Sequence, residues 1–250
     1  MVYISRVECD VVDICNLRCK NCAHFADIYR KNIYSFEEFK KDITLLSKSL
    51  HIEEFYLMGG EPFLLGDKLI EYVNFIRETK ICDKLGINTN GILLKKFSYI
   101  INSFDTIVIS IYEHKHKQDI LDWIEKNKNL YSNTKFIIRI IDEFVKVFDE
   151  NNPKLTKQQA YLSWKNCDCK SSCNFIYKGK YYKCAQSIKI FDLLNHLNIK
   201  HEVDLNNNGV NLSDDNLEEK MENFIKNDFM LDACNYCRIG IKEKEKWISL

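Results

Sequence analysis

Three observations predict an α/β protein built on an open, partial barrel. Strand and helix patterns alternate along the first 150 residues, conspicuous cysteine and glycine motifs stand where strand patterns end, and a second group of cysteines follows. Alternation at this interval is what a parallel sheet with crossover helices requires. Five or six such units fit before residue 150, too few to close an eight-stranded barrel, and chemistry is expected at the carboxyl ends of the strands. The sequence therefore predicts a partial (β/α)6 barrel over residues 1–150 and a small α+β domain, a β-hairpin with a helix, over 151–250.

The elements follow in order. Val11-Val12-Asp13-Ile14 reads as a strand that runs into Cys15-Asn16-Leu17-Arg18-Cys19-Lys20-Asn21-Cys22. Ser35-Phe36-Glu37-Glu38 is a capping box, and Phe39, Ile43, Leu45, Leu46 and Leu50 keep helical spacing after it, which predicts a helix over 36–50. A short buried-strand pattern at 54–58 ends on Gly59-Gly60-Glu61-Pro62. A helix over 67–79, a strand over 85–88 and a turn at Thr89-Asn90-Gly91 come next, then a helix over 93–102, a strand over 106–111, a helix over 116–127 and a strand over 136–141. Periodicity fades over 142–165, where Asn151-Asn152-Pro153 and Lys157-Gln158-Gln159 read as a linker. Beyond it, 173–184 reads as a hairpin turning at Lys178-Gly179, followed by helices over 189–197 and 215–226 around a polar loop at 204–209.

Composition narrows the function. Lys+Arg and Asp+Glu both number 36, so no net field favours nucleic acid or a membrane surface. No apolar run approaches the ~20 residues of a membrane-spanning helix, and the first residues lack a signal-peptide profile, which predicts a cytoplasmic protein. Eleven cysteines in a reducing compartment point to metal or redox chemistry rather than disulfides. They fall into an early group with Cys9, Cys15, Cys19 and Cys22, a solitary Cys82, and a late group of Cys167, Cys169, Cys173, Cys184, Cys234 and Cys237.

The CxxxCxxC spacing of Cys15, Cys19 and Cys22 suits three thiolates around an iron–sulfur cube whose fourth iron has no protein ligand. Structural zinc would ask for a fourth ligand, and the nearest other cysteine, Cys9, lies within the strand pattern. In Gly59-Gly60-Glu61-Pro62 the glycines allow close backbone approach to a ligand, and the carboxylate suits an ammonium; the plainer alternative is a turn. Thr89-Asn90-Gly91 is likewise either a site or a turn. Ser110 and Arg139, near strand ends, and His24, beside Cys22, are polar candidates of the same two-sided kind. The late cysteines could equally make a four-thiolate zinc ribbon.

Taken together, CxxxCxxC, GGEP and TNG resemble the radical S-adenosylmethionine (SAM) superfamily. The resemblance implies that Cys15, Cys19 and Cys22 hold a [4Fe-4S] cluster that chelates SAM, that Gly59, Gly60, Glu61 and Pro62 bind its methionyl amine, and that Asn90, Ser110 and Arg139 make further SAM contacts. The late group fits the CX9–15GX4C pattern around Gly179 and resembles the twitch domain, the shortened SPASM form with one auxiliary [4Fe-4S] cluster; the cysteines that a full SPASM pattern needs after 237 do not follow. That resemblance makes Cys184, Cys234 and Cys237 ligands and draws the fourth from Cys167, Cys173 or Cys169, with Cys169 ranked last.

CAHFAD, GKYYKC and CNYC extend the likeness to small carbohydrate- and aminoglycoside-modifying members. The implied function is hydrogen abstraction by a 5′-deoxyadenosyl radical from a small sugar- or cyclitol-like substrate, with oxidation through the auxiliary cluster and a flavodoxin- or ferredoxin-type electron donor. Epimerisation is the alternative, with Cys9, Cys82 or Cys169 returning hydrogen. Ribosomal-peptide maturation is another; the 14 residues before Cys15 fall short of a peptide-recognition domain of roughly 80 residues. A non-catalytic metal-binding protein is the most distant reading.

Overall fold

The structure is a computed structural model that describes residues 1–28 and 33–250. Strand β1 (Val2–Val12) leads to helix α1 (Phe36–Leu46), β2 (Leu50–Gly59), α2 (Lys68–Thr79), β3 (Cys82–Thr89), β4 (Thr106–Tyr112), α3 (Lys117–Asn127), β5 (Lys135–Ile141) and β6 (Glu143–Val145). Helices α4 (Lys157–Lys165) and α5 (Cys169–Ser172) precede the hairpin β7 (Asn174–Tyr177) and β8 (Lys180–Tyr182). Helix α6 (Gln186–His196), α7 (Leu205–Asn208), β9 (Gly209–Asn211), α8 (Leu217–Lys226) and β10 (Lys244–Lys246) complete the chain.

Eight strands form one sheet in the order β5-β4-β3-β2-β1-β7-β8-β9. Pairing is parallel from β5 through β1 to β7, then antiparallel through β8 and β9. The α/β architecture with a mostly parallel, open sheet is as the sequence predicts. Its sixth parallel strand comes from the hairpin: β7 pairs with β1, Val7 with Asn174 and Cys9 with Ile176. Flanked on both edges, β1 is buried continuously from Val7 to Val12, the carboxylates of Glu8 and Asp10 included. The hairpin turns as expected, with Lys178 and Gly179 at φ 44° and 80°, the left-handed conformations of a tight two-residue turn.

Two expectations need correction. The segment at 93–102 makes no α-helix; it settles into turns and a 3₁₀ helix, Ser98–Ser103. Phe97, Ile100, Ile101 and Phe104 all become buried there, and this β-branched and aromatic run has little preference for an α-helix. The supposed linker at 142–165 instead contains β6, paired antiparallel with β10, and α4. A reciprocal capping box starts α4: Gln159 N–H donates to Thr156 Oγ1 at 3.3 Å, and Thr156 N–H donates to Gln159 Oε1 at 3.1 Å. Only Ala160 and Ser163 of α4 are buried, so the helix carries almost no apolar period to read.

The two ends of the chain share a core. Phe25, from the cysteine loop, packs with Val147, Phe148, Ile190, Leu193, Leu194 and Tyr236. Lys189 of α6 is wholly buried, with its ammonium 2.7 Å from Asp10 Oδ2 and 2.6 Å from Asp13 Oδ1. Tyr177 donates to Asp13 Oδ2 at 2.9 Å, and His24 Nδ1 lies 2.8 Å from Asp10 Oδ2. Burial alone would raise the Asp10 carboxyl, but the charges of His24 and Lys189 outweigh it and hold the group at about 2. No helix among the described residues is long and apolar enough to cross a membrane.

Removing one partner of a buried ion pair strands the other and costs about 3–5 kcal/mol. Lys189→Met is therefore expected to lower the unfolding free energy of the metal-free protein by about that amount in urea titrations at neutral pH; a loss under about 1 kcal/mol would show that α6 is held by its apolar contacts alone. Because the Asp10 pKa is depressed from 3.8, its share of the stability is present above that value and drains away as pH falls towards about 2.

Candidate functional site

The cysteine loop leaves the carboxyl end of β1 and is fixed from both sides. Gly60 N–H donates to Val12 O at 2.7 Å and Glu61 N–H to Ile14 O at 2.9 Å. A Cβ at Gly59 would sit 2.0 Å from Val12 O, and one at Gly60 would sit 2.1 Å from Ile14 O. The two glycines thus make room for the cysteine loop's own backbone, a more specific reason than the approach of a ligand. From the next strand, Asn90 Nδ2 donates to Asn16 Oδ1 at 2.7 Å and reaches Cys15 Sγ at 3.8 Å.

Within the loop, Leu17 N–H donates to Cys15 Sγ at 3.4 Å, and Cys22 N–H donates to Cys19 O at 3.2 Å. Each thiol feels the others: the charge of Cys22 raises Cys15 and Cys19, and that of Cys15 raises Cys19. Burial is nonetheless the main cause, pushing Cys15 to about 11 and Cys19 to about 12 and raising Cys22 against the backbone amides of Ala26 and His24. Three neighbouring thiols, Cys19 buried and Cys15 and Cys22 half-buried, that resist ionisation need a cation to become thiolates, and a metal centre supplies one. The donor set therefore fits an iron–sulfur cluster. Among the described residues, no three His, Cys, Asp or Glu side chains gather into a site for a single metal ion.

Glu61 is placed differently from the expected ammonium contact. Its side chain is enclosed, with Oε1 accepting from Thr89 Oγ1 at 2.7 Å and Phe63 N–H at 3.2 Å, and Oε2 accepting from Asn90 N–H at 2.8 Å. It caps the 3₁₀ turn Pro62–Leu65 and bolts the end of β2 to the end of β3. Burial raises its carboxyl to about 7, against the pull of those three donors. Thr89, which sequence reading took only as part of the TNG segment, is the side-chain partner of Glu61, and Asn16, to which it gave no role, is that of Asn90.

Ser110 and Arg139 are direct partners in the β4–β5 register and so emerge on one face of the sheet. Tyr112, two residues on, shares that face; its hydroxyl is raised first by burial, then by the charges of Cys19 and Cys22, and Ser110 hydrogen-bonds it. Ser110 is thus brought towards the cysteine loop, whereas Arg139 is exposed and has no ion pair among the described residues. Asp10 holds the His24 ring. Cys82 stands at the amino end of β3, opposite Ile52, and the buried thiol of Cys9 lies among Tyr34, Tyr72 and Asp42. Neither is positioned to return hydrogen at the carboxyl ends of the strands.

The late cysteines form a second group. Cys167, Cys169, Cys184, Cys234 and Cys237 line one pocket, together with Trp164 and Ser187. Cys184 Sγ lies 3.5 Å from Ser187 Oγ, and the charges of Cys184 and Cys167 both raise Cys234 and Cys237. Cys173 is outside that lining, beside Ser172 and within reach of Glu8 and Arg6 of β1. Cys169 bridges by thiol hydrogen bonds to Cys167 and Cys173 and favours the thiolate at both.

Residues 6–131, just over half of the 250-residue chain, match the family described as 4Fe-4S single cluster domain. The GTP 3′,8-cyclase of Alkaliphilus oremlandii is 31% identical over 98 residues, which are 38% of this chain and 30% of that protein. The GTP 3′,8-cyclase of Synechocystis sp. is 29% identical over 148 residues, 55% of this chain and 44% of that one. The chain thus spans less than half the length of these curated relatives. Among solved structures, BtrN in complex with AdoMet and 2-DOIA shares the fold with a TM-score of 0.52 at 13% identity, over 94% of this chain and 92% of that chain.

The raised Glu61 pKa sets a pH signature. A carboxyl lifted from 4.5 to about 7 binds protons in the folded state that the unfolded state has released, so its contribution is present below 4.5 and is lost as pH rises through about 7. The stability difference between the metal-free wild type and Glu61→Gln should shift against the wild type across that window in denaturant titrations. A difference that does not change with pH would mean that Glu61 ionises normally.

Proposed function

This chain belongs to the 4Fe-4S single cluster domain family, within the radical SAM superfamily, and on that premise we propose a radical SAM enzyme that abstracts hydrogen from a small hydroxylated substrate, a sugar or cyclitol. The observation that carries the proposal is the convergence of three strand ends on Cys15: the backbone of Gly60 and Glu61, the side chain of Asn90, and the loop of Cys19 and Cys22. When bound to Cys15, Cys19 and Cys22 and reduced by a flavodoxin- or ferredoxin-type donor, a [4Fe-4S] cluster supplies the electron that cleaves SAM to methionine and a 5′-deoxyadenosyl radical. Gly59, Gly60 and Pro62 offer the backbone that meets the methionyl ammonium. Glu61 holds that backbone in place through Phe63 and Asn90. Ser110 and Arg139, sharing a sheet face, suit the ribose and carboxylate.

Residues 151–250 serve as the auxiliary domain. Cys167, Cys184, Cys234 and Cys237 are the preferred ligand set for a second [4Fe-4S] cluster, because they line one cavity and feel one another's charge. Cys173, outside that lining, ranks below them. An electron outlet at this position favours oxidation of a hydroxyl-bearing carbon to a ketone. Epimerisation would need a thiol donor; Cys9 and Cys82 stand away from the carboxyl ends of the strands, which leaves Cys169 as the donor for that alternative.

Anaerobically reconstituted protein should hold about eight irons, and alanine at Cys15, Cys19 and Cys22 together should leave about four. Intact protein with about four irons and one zinc would remove the auxiliary cluster. With substrate, deoxyadenosine and product should form one to one and the product should be two hydrogens lighter; unchanged mass with deuterium uptake from heavy water would make the enzyme an epimerase.

A further inference from the structure

Segment 244–250 lies across the cysteine loop. Lys20 N–H donates to Ile248 O at 3.0 Å, Leu250 N–H donates to Arg18 O at 2.7 Å, and Cys19 and Ser249 form a β-bridge. Glu245 grips the same loop, 2.7 Å from Lys20 Nζ and accepting from Asn21 Nδ2 at 3.1 Å. The segment is itself anchored to the sheet: β10 pairs with β6, and Trp247 N–H donates to Asp142 O at 2.8 Å. Its indole stacks on Tyr112 with ring centres 5.6 Å apart and 19° between planes, and it meets His114 edge-on at 6.2 Å.

This packing fixes the indole and leaves its polar atom unanswered. Trp247 Nε1 is buried and donates to no acceptor among the described residues. An unpaired buried donor is costly, so a group that completes it has a standing advantage. Trp247 stands two residues before Ser249, the bridge partner of Cys19, and its indole N–H and the Cys19 sulfur are neighbours that fall short of a full hydrogen bond.

The geometry points to Trp247 as a tuning donor whose indole N–H completes a hydrogen bond to the Cys19 sulfur when Cys19 ligates the cluster. This rests on the proposal that Cys15, Cys19 and Cys22 hold that cluster. Hydrogen bonds to the sulfurs raise the reduction potential of such a centre by offsetting the charge it gains. Segment 244–250 thereby couples the β6–β10 pair to the electron affinity of the site, and Tyr112 keeps the indole in line.

The test is a potentiometric titration of reconstituted protein, following the electron paramagnetic resonance signal that is lost when Cys15, Cys19 and Cys22 become alanine. Trp247→Phe keeps the stack and deletes the donor. At a fixed potential near the midpoint, its ratio of reduced to oxidised cluster is expected to fall about tenfold, equivalent to a midpoint about 59 mV lower for one electron. If Trp247→Phe loads less iron, 3-benzothienylalanine at position 247, which matches the indole in shape but has no N–H, decides the question by the same titration. An unchanged midpoint at full iron content would overturn the inference and reduce Trp247 to packing. If the signal survives the triple alanine substitution, the cluster assignment itself fails.

Discussion

At the junction of β1 and β2, the carbonyls of Val12 and Ile14 accept the amides of Gly60 and Glu61, and neither position 59 nor 60 has room for a side chain. That contact seats the cysteine loop on the sheet. Once it is made, Glu61 faces inward, where its carboxylate gathers Thr89, Asn90 and Phe63. Asn90 is then turned towards Cys15 and Asn16. A loop of three thiols, which alone would be a mobile connection, becomes a fixed face at the carboxyl edge of a parallel sheet, where such folds place their chemistry.

The second cysteine group depends on the same sheet. β7 extends it beyond β1, and α6, which begins just after Cys184, is pinned to β1 and its loop by Lys189 between Asp10 and Asp13. Phe25 adds an apolar tie into the core around Leu193 and Tyr236. A buried ion pair contributes little net stability compared with an apolar substitute, but breaking it is expensive. It therefore works best as a device of register, and here it sets where one cysteine group stands relative to the other.

The parallel sheet was legible in the sequence because buried strands and crossover helices carry strong, local periods, and the cysteine loop was legible because its spacing is local too. The parallel pairing of β7 with β1 was invisible, since it joins residues more than 160 apart and no local pattern records the partner. Thr156 and Gln159 did spell a capping box, yet α4 buries so few apolar residues that its charges read as a linker. The direction of Glu61 could not be read from GGEP: the letters fit an outward or an inward carboxylate, and Thr89 together with two backbone amides decides between them. Tyr112 and Trp247 had no signal near the cysteines at all. Which of Cys167, Cys169 and Cys173 joins the late group could not be read from spacing, because a short helix, Cys169–Ser172, separates Cys167 from Cys173.

The central claim is that Cys15, Cys19 and Cys22 hold a cluster with one iron left open for SAM. The most direct measurement is the electron paramagnetic resonance spectrum of the reduced, reconstituted protein with and without SAM. An open iron predicts that SAM shifts the signal assigned to these three cysteines and leaves any signal that survives their replacement by alanine unchanged. A spectrum indifferent to saturating SAM would contradict the account.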